Sequence, residues 1–119
     1  MEDVAMICLG TPEQLEELVY LSIMCETDCS YEHRHAVIQE QLNSDQDVFV
    51  IKYDCGFPAG FAHIQKDSFN KNHARLQMIY VEEAFRGNGY ATEMIAMCKT
   101  LIGCNDEVRL FSECAFQVS

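Results

Sequence analysis

The chain contains no apolar run near the roughly 18 residues that a membrane-spanning helix needs. It is also poor in basic residues, with 8 Lys and Arg against 19 Asp and Glu and a formal net charge of −11. The first lack argues against a transmembrane segment. The second argues against nucleic acid as a partner, because neutralising phosphates requires a clustered excess of Lys and Arg. The acidic balance is compatible with a cationic small molecule, drawn in by the field of an acidic cleft, and equally with a charge that merely keeps the protein soluble. The N-terminal stretch MEDVAMICLG lacks the basic front end of a secretory signal, so the cytoplasm is the expected location. No C-x-x-C pair occurs, which speaks against a thioredoxin-like role. The seven cysteines, Cys8, Cys25, Cys29, Cys55, Cys98, Cys104 and Cys114, are an odd number without an export signal. They make a poor disulfide framework and read as reduced thiols, mostly in apolar surroundings.

With 119 residues, 49% hydrophobic and 23% charged, the composition is that of one globular domain spanning residues 1–119. Helix signals open at TPEQLEEL: Thr11 can cap, Pro12 suits the first turn, and Gln14 stands three residues after the cap. Leu15, Leu18, Val19 and Ile23 continue as an apolar stripe. A second helix is expected from about Tyr31 to Leu42, with Tyr31, His35, Ile38 and Leu42 on one face, and NSDQD ends it. VFVIKY reads as a strand, DCGFP as a turn and AGFAHIQ as a second strand. After the polar loop KDSFNKNH comes the strand ARLQMIYV. Ala91, Met94, Ile95, Cys98, Leu101 and Ile102 then follow helical spacing, with Gly103 as the stop. EVRLFSECAF supplies a last strand. The expected order is strand, helix, helix, three strands, helix, strand, an α/β or α+β layer with a mixed, mostly antiparallel sheet. Its last strand–loop–helix–strand unit should be a right-handed crossover joining parallel strands.

The segment between the third of those strands and its helix, FRGNGYATEM, carries the chemistry. A glycine-rich turn opening a helix presents unpaired backbone N–H groups and the positive end of the helix dipole, which together attract an anion. Arg86, Gly87, Asn88, Gly89, Tyr90 and Ala91 form this candidate cradle; an ordinary strand–helix turn is the bland alternative. The nucleotide motifs do not fit. There is no Walker sequence, and GNGYAT places Thr92 where a dinucleotide fingerprint has its third glycine.

The pattern R-x-x-G-x-A, Arg86, Gly89 and Ala91, directly after a strand ending IYV, resembles the acyl-coenzyme A loop of the GCN5-related N-acetyltransferase (GNAT) superfamily. The resemblance extends over roughly residues 10–115 to the bacterial aminoglycoside 6'-N-acetyltransferases, carried by PAGFAHIQ, LQMIYVEEAFRGNGYATEM and GCNDEVRLFSEC. It implies acetyl-CoA as co-substrate, with the pyrophosphate on residues 86–91. The pantetheine arm would lie along the strand backbone at Ile79, Tyr80 and Val81, where N–H groups would also contact the developing oxyanion. It further implies direct acetyl transfer to a primary amine of a small cationic acceptor, with an aminoglycoside as one candidate.

Two features depart from the resembled group. Its glutamate nine residues before the loop arginine is replaced by Gln77, and an amide cannot serve as a general base. Its aspartate after the last-strand serine corresponds to Glu113, the remaining candidate for base or amine anchor; a solvated strand-end charge is the alternative. Glu82 and Glu83 read as surface residues. The further helix and strands of the superfamily do not follow Ser119, so the chain is expected to be short at its C-terminus. Its open last strand favours a homodimer. Two other classes compete: a catalytically idle acetyl-CoA binder, favoured by Gln77, and a zinc module on Cys25, Cys29, His33 and His35. His63 and His73 are lone residues. His63 alternates with Phe61 and Gln65 on one strand face and reads as a buried, hydrogen-bonded histidine, with a place facing the acceptor cleft as the alternative.

Overall fold

The computed structural model describes residues 6–67, 73–101 and the backbone of 109–112. The elements follow in the expected order: β1 (Met6–Leu9), α1 (Leu15–Cys25), α2 (Tyr31–Leu42), β2 (Asp47–Asp54), β3 (Phe57–Lys66), β4 (His73–Val81), α3 (Tyr90–Leu101) and β5 (Arg109–Ser112). Gly103 and Glu113 lie outside the described residues.

Thr11 caps as its sequence context demands. Its hydroxyl accepts the Glu13 N–H, and Gln14 Oε1 in turn accepts the Thr11 N–H at 2.8 Å. This reciprocal pairing satisfies donors that a bare helix end would leave open. The first turn, Pro12–Gln14, is tightened to a 3₁₀ helix before α1 begins. Ser30 caps α2 by accepting the His33 N–H at 3.1 Å. Of the residues expected on one face of α2, Ile38 is buried and Leu42 packs against the core. Tyr31 is exposed and meets the His35 ring at 5.7 Å between centroids.

The sheet runs β1-β2-β3-β4-β5. Its first four strands are antiparallel, and β4 and β5 are parallel, paired from His73↔Arg109 to Leu76↔Ser112. The parallel pairing across α3 is the one anticipated for this unit. Period-2 alternation sends Phe49, Ile51, Tyr53, Phe61 and Tyr80 to the face covered by α1 and α2, where Leu18, Val19, Leu21 and Ile38 meet them. Val50, Ala62, Ile64, Leu76, Ile79 and Val81 face α3, against Met94 and Cys98. Burial pushes the Cys98 thiol up to about 12, as expected for a cysteine used as a core residue.

Two irregularities shift this alternation. On β3, Ala59 is extra between the pairs Lys52↔Gly60 and Tyr53↔Pro58. On β4, Gln77 is extra between Ile64↔Leu76 and His63↔Met78. Such a bulge lets two successive residues oppose one and re-aims the strand beyond it. It allows Leu76 and Ile79, three apart, to enter the same core.

Candidate functional site

The end of β4, the turn after it and the start of α3 form one continuous feature. Ile79, Tyr80 and Val81 pair with Ala62, Phe61 and Gly60 on one side. On the other, the described ladder with β5 covers only His73–Leu76. Beyond Leu76 that edge has no strand partner among the described residues. The Ile79 carbonyl lies 4.0 Å from Cys25 Sγ, and the Val81 carbonyl accepts from Arg86 Nε at 2.8 Å.

The turn is built from its own residues. Glu83–Phe85 make one 3₁₀ turn. The Arg86 guanidinium folds back over the Tyr80 ring, 5.7 Å from its centroid, and Asn88 Nδ2 donates to the Phe85 carbonyl at 2.8 Å. Gly87 and Gly89 have φ of 89° and 78°, a left-handed backbone that residues with a Cβ rarely adopt. No heavy atom lies within 4 Å of a Cβ built on either glycine. The turn therefore opens to free space on that side. Gly89 then accepts the Glu93 N–H at 3.1 Å, so it heads α3. None of the described backbone hydrogen bonds uses the N–H groups of residues 87–92. Unused amides, a helix N-terminus and open space suit a bound anion.

A second set of side chains braces α3 from behind. Lys52 on β2 is 5% exposed. Its ammonium pairs with Glu93 in the first turn of α3 and sits 4.7 Å from the Tyr90 ring centroid. The Tyr90 hydroxyl donates to Asp54, and that hydrogen bond, then burial, pushes the phenol up to about 12. Tyr90 and Arg86, both picked out by the loop pattern, thus direct their polar groups to the protein. What the turn leaves free is backbone. Nothing in the loop pattern pointed to Lys52, Asp54 or Glu93; the one signal was a lysine inside the apolar run VFVIKY.

Beside the turn, Glu82 accepts from the Tyr20 hydroxyl at 2.7 Å and from the Tyr80 hydroxyl at 3.4 Å. Glu83 is exposed. His63 is buried and hydrogen-bonded to Asp47 at 2.6 Å, as its place on the strand suggested. The Cys25, Cys29, His33 and His35 set is not gathered into a metal site: among the described residues no three or more His, Cys, Asp and Glu are so placed. His35 instead pairs with Glu16 at 3.3 Å.

The model of the acetyltransferase (GNAT) family matches residues 15–115. The chain belongs to this family. Among solved structures, the GNAT chain is similar to the aminoglycoside N-acetyltransferase AAC(6')-Iy in complex with a bisubstrate analogue, CoA-S-monomethyl-acetylneamine. The TM-score is 0.80 at 23% identity, covering 95% of this chain and 81% of that one. The 6'-N-acetyltransferase AAC(6')-Ih of Acinetobacter baumannii gives 0.75 at 16%, covering 93% and 80%. A ribosomal-protein-alanine N-acetyltransferase of Brucella melitensis gives 0.74 at 14%, covering 92% and 80%. At these identities the likeness is one of fold. A comparison with curated protein sequences gives no match. Among the described residues of this GNAT chain, no helix is long and apolar enough to cross a membrane.

Proposed function

We propose that the chain is an acetyl-CoA-dependent N-acetyltransferase acting on a primary amine of a small cationic acceptor, an aminoglycoside being the first candidate. The observation that carries this reading is the turn at residues 86–91, with its unused amides and open space at the head of α3. The cofactor pyrophosphate would take the amides of Gly87, Asn88, Gly89, Tyr90 and Ala91. Arg86 shapes the turn by its hold on Val81. The pantetheine arm would run along the edge of β4 at Ile79–Val81, which no described strand occupies.

Transfer then needs a neutral amine beside the thioester carbonyl. An alkylamine with a pKa near a lysine's, about 10.4, is mostly protonated at pH 7. The nitrogen forms the C–N bond as the C–S bond breaks, and the proton the amine loses is matched by the one the departing sulfur gains. We assign the accepting carboxylate to Glu113. It follows Ser112, whose backbone pairs with Leu76, the residue before Gln77. The net charge of −11 and the half-exposed Tyr20 on Glu82 favour a cation as acceptor. We further assign the protein to the cytoplasm and to a homodimer, which sedimentation would test.

Gln77 supports a second reading, an acetyl-CoA binder without turnover, since the amide takes no proton. Release of coenzyme A thiol separates the two. With acetyl-CoA and a panel of aminoglycosides, an acceptor-dependent thiol signal that Glu113→Gln slows supports the enzyme. Cofactor binding with no thiol release from any amine would leave the binder.

A further inference from the structure

Among the described residues, the sheet face under α1 and α2 carries, besides the Tyr53 and Tyr80 hydroxyls, one chain of polar groups across three strands. Asp47 on β2 and His63 on β3 have side chains only 5% and 7% exposed. His63 Nε2 lies 2.6 Å from Asp47 Oδ1, and the imidazole stacks on Phe49 with centroids 4.1 Å apart and planes 8° from parallel. Gln65 Nε2 donates to the same Asp47 oxygen at 3.3 Å. Gln77 Nε2 donates to Gln65 Oε1 at 3.1 Å.

One charge dictates the direction of this chain. An ionised carboxylate only accepts hydrogen bonds. His63 and Gln65 must therefore both present N–H to Asp47, which turns the Gln65 oxygen towards Gln77. Gln77 must in turn offer its own NH₂, and among the described residues its Oε1 accepts no hydrogen bond. Burial opposes ionisation of Asp47, but the hydrogen bond and charge of His63, with Ser44 and Gln65, outweigh it and hold the carboxyl below its ordinary range. Gln77 is the bulged residue of β4, two positions before Ile79 and next to the end of the described β5 ladder. Burying the Asp47 and His63 side chains of this polar chain is costly in desolvation. Ending it on an acceptor at a bulge, beside the proposed transfer site, gives that cost a use.

Building on the transferase reading above, we propose that Asp47 and His63 are positioning residues which, through Gln65, fix the Gln77 carboxamide so that its Oε1 accepts an N–H of the incoming amine. A neutral primary amine has two N–H groups and one lone pair. Holding one N–H on Gln77 restricts where the lone pair points, without requiring Gln77 to carry a proton. An amide in this place orients the amine; a carboxylate there would meet the Gln65 oxygen.

That last conflict provides the test. In Gln77→Glu, the new carboxyl faces an oxygen, so its NMR-detected titration should lie more than about one unit above the ordinary glutamate value of about 4.3. Adding Asp47→Asn frees Gln65 to turn over and present its NH₂, and the titration should return towards that value. Ordinary titration in both proteins would overturn the chain. Kinetics give the second arm, with acetyl-CoA and neamine as probes. Gln77→Leu and Asp47→Asn should each lower kcat/KM for neamine about tenfold, the scale of one lost hydrogen bond, with the KM for acetyl-CoA unchanged. The double variant should be no worse than Gln77→Leu alone; multiplied defects would refute action through Gln77. If the wild-type chain binds acetyl-CoA but does not acetylate neamine, the proposed acceptor and the amine role of Gln77 both fall. The titration still decides whether Asp47 directs the amides.

Discussion

Gly60→Ala is a one-carbon change that should travel from packing to ligand binding. Gly60 pairs with Val81 across β3 and β4. A Cβ at residue 60 would lie 2.5 Å from the Tyr80 carbonyl oxygen, 3.2 Å from Val81 Cα and 3.2 Å from Met94 Cε. The methionine end can move aside, but the carbonyl and Cα are backbone. Relief to an ordinary contact requires β4 to retreat by on the order of half an ångström or more at Tyr80–Val81. Overpacking of this kind costs about 1–3 kcal/mol, offset by roughly 0.4–1 kcal/mol from the stiffer unfolded chain. The net expectation is a loss of roughly 1–2 kcal/mol, or about 5–10 °C in Tm for a domain of this size. The strand that retreats is the one proposed to pair with the pantetheine arm, so acetyl-CoA affinity should fall too. Urea unfolding with calorimetric titration measures both quantities. A Gly60→Ala protein as stable as wild type, with unchanged affinity, would refute the close approach of β3 to β4.

Two further predictions follow from the buried charges. Lys52→Met keeps the aliphatic stem but removes the ammonium between Glu93 and Tyr90. Because the Glu93 side chain is 48% exposed, water can take over its carboxylate, and the loss should be roughly 1–3 kcal/mol in urea unfolding, below the range for a fully buried pair. For Asp47 the folded pKa lies below the unfolded one. Its contribution is therefore complete above the ordinary carboxylate value of about 3.9 and is lost as pH falls through the lower, folded value. Acid unfolding followed by circular dichroism should be less steep below pH 4 in Asp47→Asn than in wild type.

Much of the fold was legible because its signals are local. The capping box at Thr11, the helical spacing of Met94 and Cys98 and the turn between β2 and β3 all lie within a few residues of sequence. The loop pattern likewise located the turn, since its glycines sit where the backbone needs positive φ. The long-range polar pairs were not legible. Lys52 and Glu93 are 41 positions apart, and Asp47 and His63 are 16 apart. Asp47 stands in a run that looks like a helix breaker, and only strand register brings it to Gln65 and His63. The bulge at Gln77 was hidden for another reason. ARLQMIYV alternates apolar and polar only as far as Gln77 and is apolar in both phases from Met78 onward, so one extra residue there leaves no visible break in alternation. The loop pattern also named whole residues where the structure offers mostly backbone, with Arg86 and Tyr90 turned inwards.

The central claim is that the backbone of the turn at residues 86–91 holds acetyl-CoA. Isothermal calorimetry of the wild-type chain and Gly89→Val tests it most directly. At φ of 78° a β-branched side chain is strained and fills the open side of the turn. The account predicts equimolar binding by wild type and a loss of at least about tenfold in affinity in the variant, with the fold retained by circular dichroism. No heat from the wild-type chain, or equal affinity in both proteins, would contradict it.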